Sequence, residues 1–213
     1  MKAAVSWTSF SDLLLDAIYP RRCALCRLFS ADPVCAACRD EFILEEPSIR
    51  FGEEAKGLDY RAVLFRYEGR AGQAVRRLKY GLCTSHARLM ATELKGFMVD
   101  LKLDPDLIVP VPIHWTRGCL RGFNQAELLC EEIGFSPNQL VRIRSTRPQV
   151  GLTREQRIEN LAGAFSASEG VRGKRVLLID DVLTTGQTAR ECASALRAKG
   201  ATEVGILAFC GET

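Results

Sequence analysis

The sequence predicts a doubly wound α/β fold with a mostly parallel sheet, and three observations predict it. Strand-like runs alternate with helix-like runs from Arg61 to the end of the chain. Two of the strand runs, Leu107–Ile113 and Val176–Ile179, are short and apolar throughout, as in parallel strands covered on both faces. Each is followed by a polar loop and then by apolar residues at i, i+3, i+4 and i+7. Strand, loop and helix in that order wind a parallel sheet through crossover helices.

The bulk numbers agree with one such domain and a small appendage. The chain has 213 residues and 47% hydrophobic content, enough for a full core. Its formal net charge of +3 is mild and does not by itself argue for nucleic acid. No apolar span is long enough to cross a bilayer, and Ser9, Ser11, Asp12 and Asp16 interrupt the N-terminal apolar stretch as they would not in a signal peptide. The expected location is a reducing cytoplasm.

In chain order, Phe10, Leu13, Leu14 and Ala17 fall at helical spacing, and Pro20 ends that helix. Cys23, Cys26, Cys35 and Cys38 then form two C-x-x-C pairs. Paired spacing of this kind points to two knuckles around one structural Zn²⁺, with four thiolates and no open position for chemistry. A fold-stabilising clip is the favoured reading. A redox dithiol is the rival, and Arg21, Arg22, Arg27 and Arg39 would suit a nucleic-acid module. The expected division is a helix and double zinc knuckle over 1–50 and the α/β domain over 51–213.

Glu45 to Lys56 reads as a charged linker, and Arg61 to Tyr67 as a strand. Gly69 and Gly72 bracket an expected turn. Val75 to Tyr80 then forms a basic helical turn in which Lys79 either reaches a ligand or joins a solvated face. A helix from about Ala87 turns Met90, Leu94, Phe97 and Met98 inward. After the Leu107–Ile113 strand comes a loop holding His114, Arg117 and Arg121, placed where open α/β sheets bind ligands. The two arginines suit a multiply charged anion. His114 is equally readable as hydrogen-bonded structure. A helix beginning near Asn124 buries Ala126, Leu129, Cys130 and Ile133. Arginines dominate from 142 to 157, as a solvated flap or as a lid that excludes water from a phosphate-rich ligand. Gly170 and Gly173 mark a turn, and Val204 to Phe209 is the last buried strand.

The stretch from Val176 to Ala189 carries the most chemistry. Asp180 and Asp181 close the strand, and Thr184, Thr185, Gly186, Gln187 and Thr188 lead into a helix. The first N–H groups of a helix lack internal partners and favour an anion. Threonine hydroxyls add donors, and Gly186 allows a close approach of the backbone. Carboxylates repel phosphate but accept hydrogen bonds from a vicinal diol. The combination therefore suits a ribose carrying a 5′-phosphate. No Walker loop is present.

The Asp180–Thr188 stretch resembles the motif with which type I phosphoribosyltransferases bind 5-phosphoribosyl 1-pyrophosphate (PRPP). Taken with the four-cysteine knuckles and the Val109-Pro110-Val111-Pro112-Ile113-His114 and Arg121-Gly122-Phe123-Asn124-Gln125 runs, the chain resembles the ComF/GntX family of competence-associated, phosphoribosyltransferase-like proteins. From Arg144 onward it is also similar to the flexible loop of amidophosphoribosyltransferase. The resemblance implies a type I phosphoribosyltransferase-like domain. It implies that Asp180 and Asp181 hold the ribose hydroxyls, and that Thr184, Thr185, Gly186, Gln187 and Thr188 hold the phosphate. Pro112, His114, Arg117 and Arg121 would face pyrophosphate, with Arg147 and Arg154 in the cover. Mg²⁺ would enter with PRPP, held mostly by phosphates and waters. The implied role lies in DNA uptake during natural competence or in the use of DNA, with single-stranded DNA and DNA-uptake proteins as partners. Two functions follow as expectations. One is a phosphoribosyltransferase; the other is a non-catalytic single-stranded-DNA-binding accessory protein on the same fold.

Overall fold

A computed structural model describes residues 23, 26, 28–30, 35–38, 47–80, 85–113, 122–144 and 160–211, with the backbone alone at 80, 85 and 86. The expected helix over Phe10–Ala17, the arginines around the knuckles, the loop residues His114, Arg117 and Arg121, and the cover residues Arg147 and Arg154 lie outside the described residues.

Five strands form the main sheet: β1 (Ser48–Phe51), β2 (Tyr60–Arg66), β3 (Leu107–Pro110), β6 (Arg175–Leu183) and β7 (Glu203–Gly211). Their order is β1-β2-β7-β6-β3. All neighbours are parallel except β1, which lies antiparallel to β2 at the edge. Helices cover both faces. α1 (Gly69–Tyr80), α2 (Ser85–Asp100) and α3 (Gln125–Ile133) bury Leu78, Met90, Leu94 and Leu129 against Leu177, Ile179 and Phe209. α4 (Gln187–Ala198) packs Ala189, Cys192, Ala193 and Leu196 against Val176, Leu178 and Ile206 on the opposite face. Alternate residues of β6 thus serve two cores, which is why the strand is apolar without a break.

Four details differ from the sequence expectation. The charged stretch read as a linker contains β1 and a short 3₁₀ turn (Gly52–Ala55), pairing Ser48 to Val63 through Phe51 to Tyr60. An edge strand has one face and one edge in water, so its sequence carries little apolar periodicity. The turn expected at Gly69–Gly72 is the first turn of α1, since Gly72 N–H donates to Glu68 O at 2.8 Å. The β3 ladder stops at Pro110 rather than Ile113, because Pro112 has no N–H to give. Asp180 and Asp181 lie inside β6, which continues to Leu183 alongside β7.

The residues flanking the arginine-rich segment form a second, two-stranded sheet. β4 (Leu140–Arg142) and β5 (Phe165–Ala167) pair antiparallel and bring the two ends of that segment together. At β7, a Cβ on Gly205 would fall within the Tyr60 ring, so only glycine lets β2 and β7 lie at this spacing under the ring.

Candidate functional site

The sheet order places a topological switch point at β6. The neighbouring strands β3 and β6 lead into helices on opposite faces of the sheet, α3 and α4. Open α/β sheets bind ligands at the carboxyl ends of strands at such a point. Two loops open there. One follows β3; its start is fixed by Val111 N–H donating to Ile179 O at 2.9 Å. The buried Asn124 holds its far end, donating from Nδ2 to Val111 O at 3.2 Å and capping α3 by accepting from Ala126 N–H at 3.1 Å. Pro110 pairs with Ile179, so Pro112 and Asp181 each stand two residues beyond that pair.

The second loop joins β6 to α4 and carries the carboxylates at its mouth. Asp181 is buried, and Lys79 Nζ from α1 lies 3.2 Å from its Oδ2. The approach is that of an ion pair, and Oδ2 is buried without a well-directed hydrogen bond. Asp180 is half-buried, and its Oδ1 accepts the Asp181 N–H at 2.8 Å. Burial first, and the charge of Asp181 second, push the Asp180 carboxyl up to about 8, against the opposing pull of Lys79. Near neutral pH, one proton and the Lys79 ammonium together offset the charge of the two acids.

Beyond the carboxylates, Thr184 and Thr185 are exposed and Thr188 is half-buried. Gly186 is the N-cap of α4 in the left-handed region (φ 72°, ψ 7°), and no side chain caps the helix. A residue with a Cβ would be strained there. The Gln187 N–H reaches only Thr185 Oγ1, at 3.5 Å. The Gln187 side chain is engaged with its own helix: Nε2 donates to Glu191 Oε1 at 3.1 Å, and Oε1 accepts from Arg190. What Gln187 offers a ligand is therefore its backbone. The arrangement puts hydrogen-bond acceptors for hydroxyls beside an uncapped helix mouth that favours an anion.

Three positioning contacts were not read from the sequence as parts of this site. Lys79 was singled out, but its partner was not. Arg61 of β2, itself buried, donates from Nη2 to Thr184 O at 3.1 Å across 123 residues of chain. Arg190 Nη1 donates to Thr185 O at 3.1 Å. Only Arg190, one turn into α4 from the loop, had a local signal.

The four cysteines of the knuckles come together as their spacing predicts. Their sulfurs all lie within 4.8 Å of one another. Cys26 Sγ is 3.6 Å from Cys35 Sγ, and Cys23 Sγ accepts the backbone N–H of Cys26 at 3.5 Å and of Cys35 at 3.4 Å. Tetrahedral Zn²⁺ with bonds of about 2.3 Å sets sulfurs roughly 3.8 Å apart, so the donor set fits. Backbone N–H groups aimed at a sulfur stabilise it as a thiolate. Burial and the neighbouring thiols push the Cys38 thiol far up, a conflict that a divalent cation removes. Cys23 and Cys38 belong to the same apolar cluster as α1 and α2, so the knuckles sit on the core of the α/β domain.

Comparison with known proteins gives the class and then the family. Residues 120–212, which include α3, β6, α4 and β7, match the phosphoribosyl transferase domain. With the mostly parallel sheet and the β6–α4 loop, this defines a protein of the type I phosphoribosyltransferase fold. The chain is 37% identical over 128 residues to DNA utilization protein YhgH of Salmonella typhimurium, covering 57% of this chain and 54% of that protein. It is 38% identical over 116 residues to competence protein F of Haemophilus influenzae, covering 50% of each. To competence protein ComFC of Streptococcus pneumoniae it is 31% identical over 156 residues, covering 71% of this chain and 68% of that one. The chain belongs to the ComF family of phosphoribosyltransferase-like competence proteins. It spans about half the length of the first two of these relatives.

Proposed function

We propose that this protein binds PRPP or a related ribose 5-phosphate ligand at the carboxyl ends of β3 and β6. One observation carries the reading: at the switch point, a carboxylate pair is followed at once by a glycine-capped helix mouth. Asp180 and Asp181 accept the ribose hydroxyls. The amides and hydroxyls from Thr184 to Thr188 hold the 5′-phosphate. Pro112, His114, Arg117 and Arg121 would line the pyrophosphate side, with Arg147 and Arg154 in the cover. Mg²⁺ would arrive with pyrophosphate and take its ligands mainly from phosphate oxygens and water, a hard-oxygen environment that the two carboxylates suit.

Such a site fits phosphoribosyl transfer. The C1′–O bond to pyrophosphate breaks, the leaving group takes the bonding pair, and a nucleophile adds to the oxocarbenium-like C1′. The chain's part is to orient the ribose, to keep water away, and to stabilise charge on the departing pyrophosphate through Arg117 and Arg121. The relatives' names support a place in DNA uptake during competence or in the use of DNA. No helix among the described residues is long and apolar enough to cross a membrane. A zinc-thiolate clip and the buried thiols of Cys130, Cys192 and Cys210 suit a reducing cytoplasm. We take residues 1–50 as the knuckle module and 51–213 as the phosphoribosyltransferase-like domain, with β1 crossing from the first into the main sheet of the second.

Calorimetry with PRPP and Mg²⁺ tests the reading. Micromolar binding to the wild type, lost in the double variant Asp180→Asn/Asp181→Asn, is the expected result. Equal affinity in both proteins would place the ligand elsewhere. The same names support a second reading, a non-catalytic protein that tracks single-stranded DNA with its basic residues. That reading requires affinity for single-stranded DNA that falls steeply with salt.

A further inference from the structure

The loop that would meet the 5′-phosphate is held from behind. Arg61 on β2 donates to Thr184 O, and the Arg190 side chain on α4 donates to Thr185 O. The Arg190 backbone N–H donates to Gly186 O at 2.9 Å. Three consecutive carbonyls are thereby committed to donors of the protein. No peptide bond described is cis. In a trans peptide, the carbonyl of one residue and the N–H of the next point to opposite sides. The N–H groups of Thr185, Gly186 and Gln187 therefore lie across their peptide planes from those donors. Gly186 alone in this loop has a positive φ, at 72°. A left-handed residue after a residue of negative φ turns successive amides toward a common concavity, the usual anion nest of a backbone.

We propose that Arg61 and Arg190 are positioning residues that fix the 184–187 backbone with its amides toward the ligand, and so set selectivity for a phosphorylated ribose over ribose itself. The proposal rests on the ribose-phosphate reading of the site. Without the two donors, a half-turn of either peptide would aim a carbonyl at the phosphate. The cost would then fall on the phosphate and not on the diol. The two clamps come from different elements. Arg61 fixes the strand end of the loop and Arg190 the helix end. The sequence gives no hint that they act together.

The test uses the zinc-loaded full chain and ribose 5-phosphate and ribose as separate probes, followed by NMR titration. Arg190 is half-buried, so Arg190→Met is the first variant. Arg61→Lys, which keeps a cation on the buried strand, is the second. Arg190→Met should weaken ribose 5-phosphate binding about tenfold, the loss expected for hydrogen bonds to a charged group. Ribose binding should not change, and Arg190→Lys should restore most of the loss. In the ligand-free protein, the Thr185 and Gly186 amides should be rigid by ¹⁵N relaxation and should become mobile in Arg190→Met. A wild type that binds ribose 5-phosphate, with both Arg190→Met and Arg61→Lys within about twofold of it, overturns the clamp. So does an equal loss for ribose and for ribose 5-phosphate. A wild type that binds no ribose 5-phosphate overturns the ribose-phosphate reading instead. The clamp is then decided by the ligand-free amides, and unchanged relaxation in Arg190→Met refutes it.

Discussion

The cysteine knuckles and the aspartate pair solve one physical problem in two ways. Each crowds like-charging groups into a place where burial disfavours their charge. Cys38 is pushed up by burial and by neighbouring thiols, and Asp180 by burial and by Asp181. The thiols are spaced for a permanent divalent cation, which would turn the repulsion into binding. The carboxylates have only a partial remedy, one lysine 3.2 Å from Asp181 and the proton that the raised Asp180 carboxyl keeps near neutral pH. A closed metal site spends its conflict on folding. On the proposed reading, the open carboxylate site keeps its conflict for a ligand that donates hydroxyl hydrogen bonds. The difference teaches which crowded site is architectural and which is poised to bind.

The largest test of that contrast is metal removal. Purified protein should carry one Zn²⁺ by metal analysis. Chelation, or Cys38→Ser, should cut thermal stability by 10 °C or more, at about 2–4 °C per kcal/mol for a chain of this size. The knuckles share a core with α1 and α2, so the loss should appear in the main unfolding transition. A metal-free protein with an unchanged transition would break the comparison.

Next in size is the effect of the carboxylates on ligand. Asp180→Asn/Asp181→Asn should lower ribose 5-phosphate affinity about 100-fold, roughly 2.7 kcal/mol. Asp180→Asn alone, which keeps the Lys79–Asp181 pair, should unfold at a higher temperature than the wild type when both are ligand-free at pH 8. A site kept in conflict for function predicts this opposition.

The pH dependence sharpens it further. The Asp180 carboxyl is raised in the folded protein above its ordinary value of 3.8, to about 8. Between those values the folded state holds more protons than the unfolded one. Its contribution to stability is therefore full below the ordinary carboxylate range and is lost as pH rises through about 8. Asp180→Asn should flatten that fall in a series of ligand-free melts from pH 5 to 8.5. A wild type as stable at pH 8.5 as at pH 6 would contradict the raised carboxyl.

The smaller effects separate a buried pair from an exposed one. Lys79→Met leaves Asp181 buried beside Asp180 without its cation and should lower the melting temperature at pH 8 by about 3–6 °C. Arg50→Ala removes an exposed pair with Glu54, at 3.1 Å, and should change it by no more than about 1 °C.

How much of this was legible in the sequence depended on the distance along the chain between the interacting groups. The β6–loop–α4 unit was readable because its apolar run, its carboxylates, Gly186 and the face of Ala189, Cys192, Ala193 and Leu196 are contiguous. The cysteine cluster was readable because spacing within each pair constrains geometry. The linker reading of 45–56 failed at β1, whose strand character comes from pairing with β2 and not from its own pattern. The β4–β5 pair went unread for the same reason: three-residue strands have no period to detect.

By itself, then, the sequence determined the wound α/β order, the run of two aspartates, threonines and Gly186 at the start of α4, and the thiol set, because local backbone preference and short spacing are enough to specify each. Only the tertiary structure decided that Lys79 faces Asp181 and that Arg61 holds the Thr184 carbonyl. It also joined Cys23 and Cys38 to the apolar cluster that holds α1 and α2. Those contacts arise from strand register and from packing across the sheet. Such pairings are selected by the burial of whole faces, and no short stretch of residues encodes them.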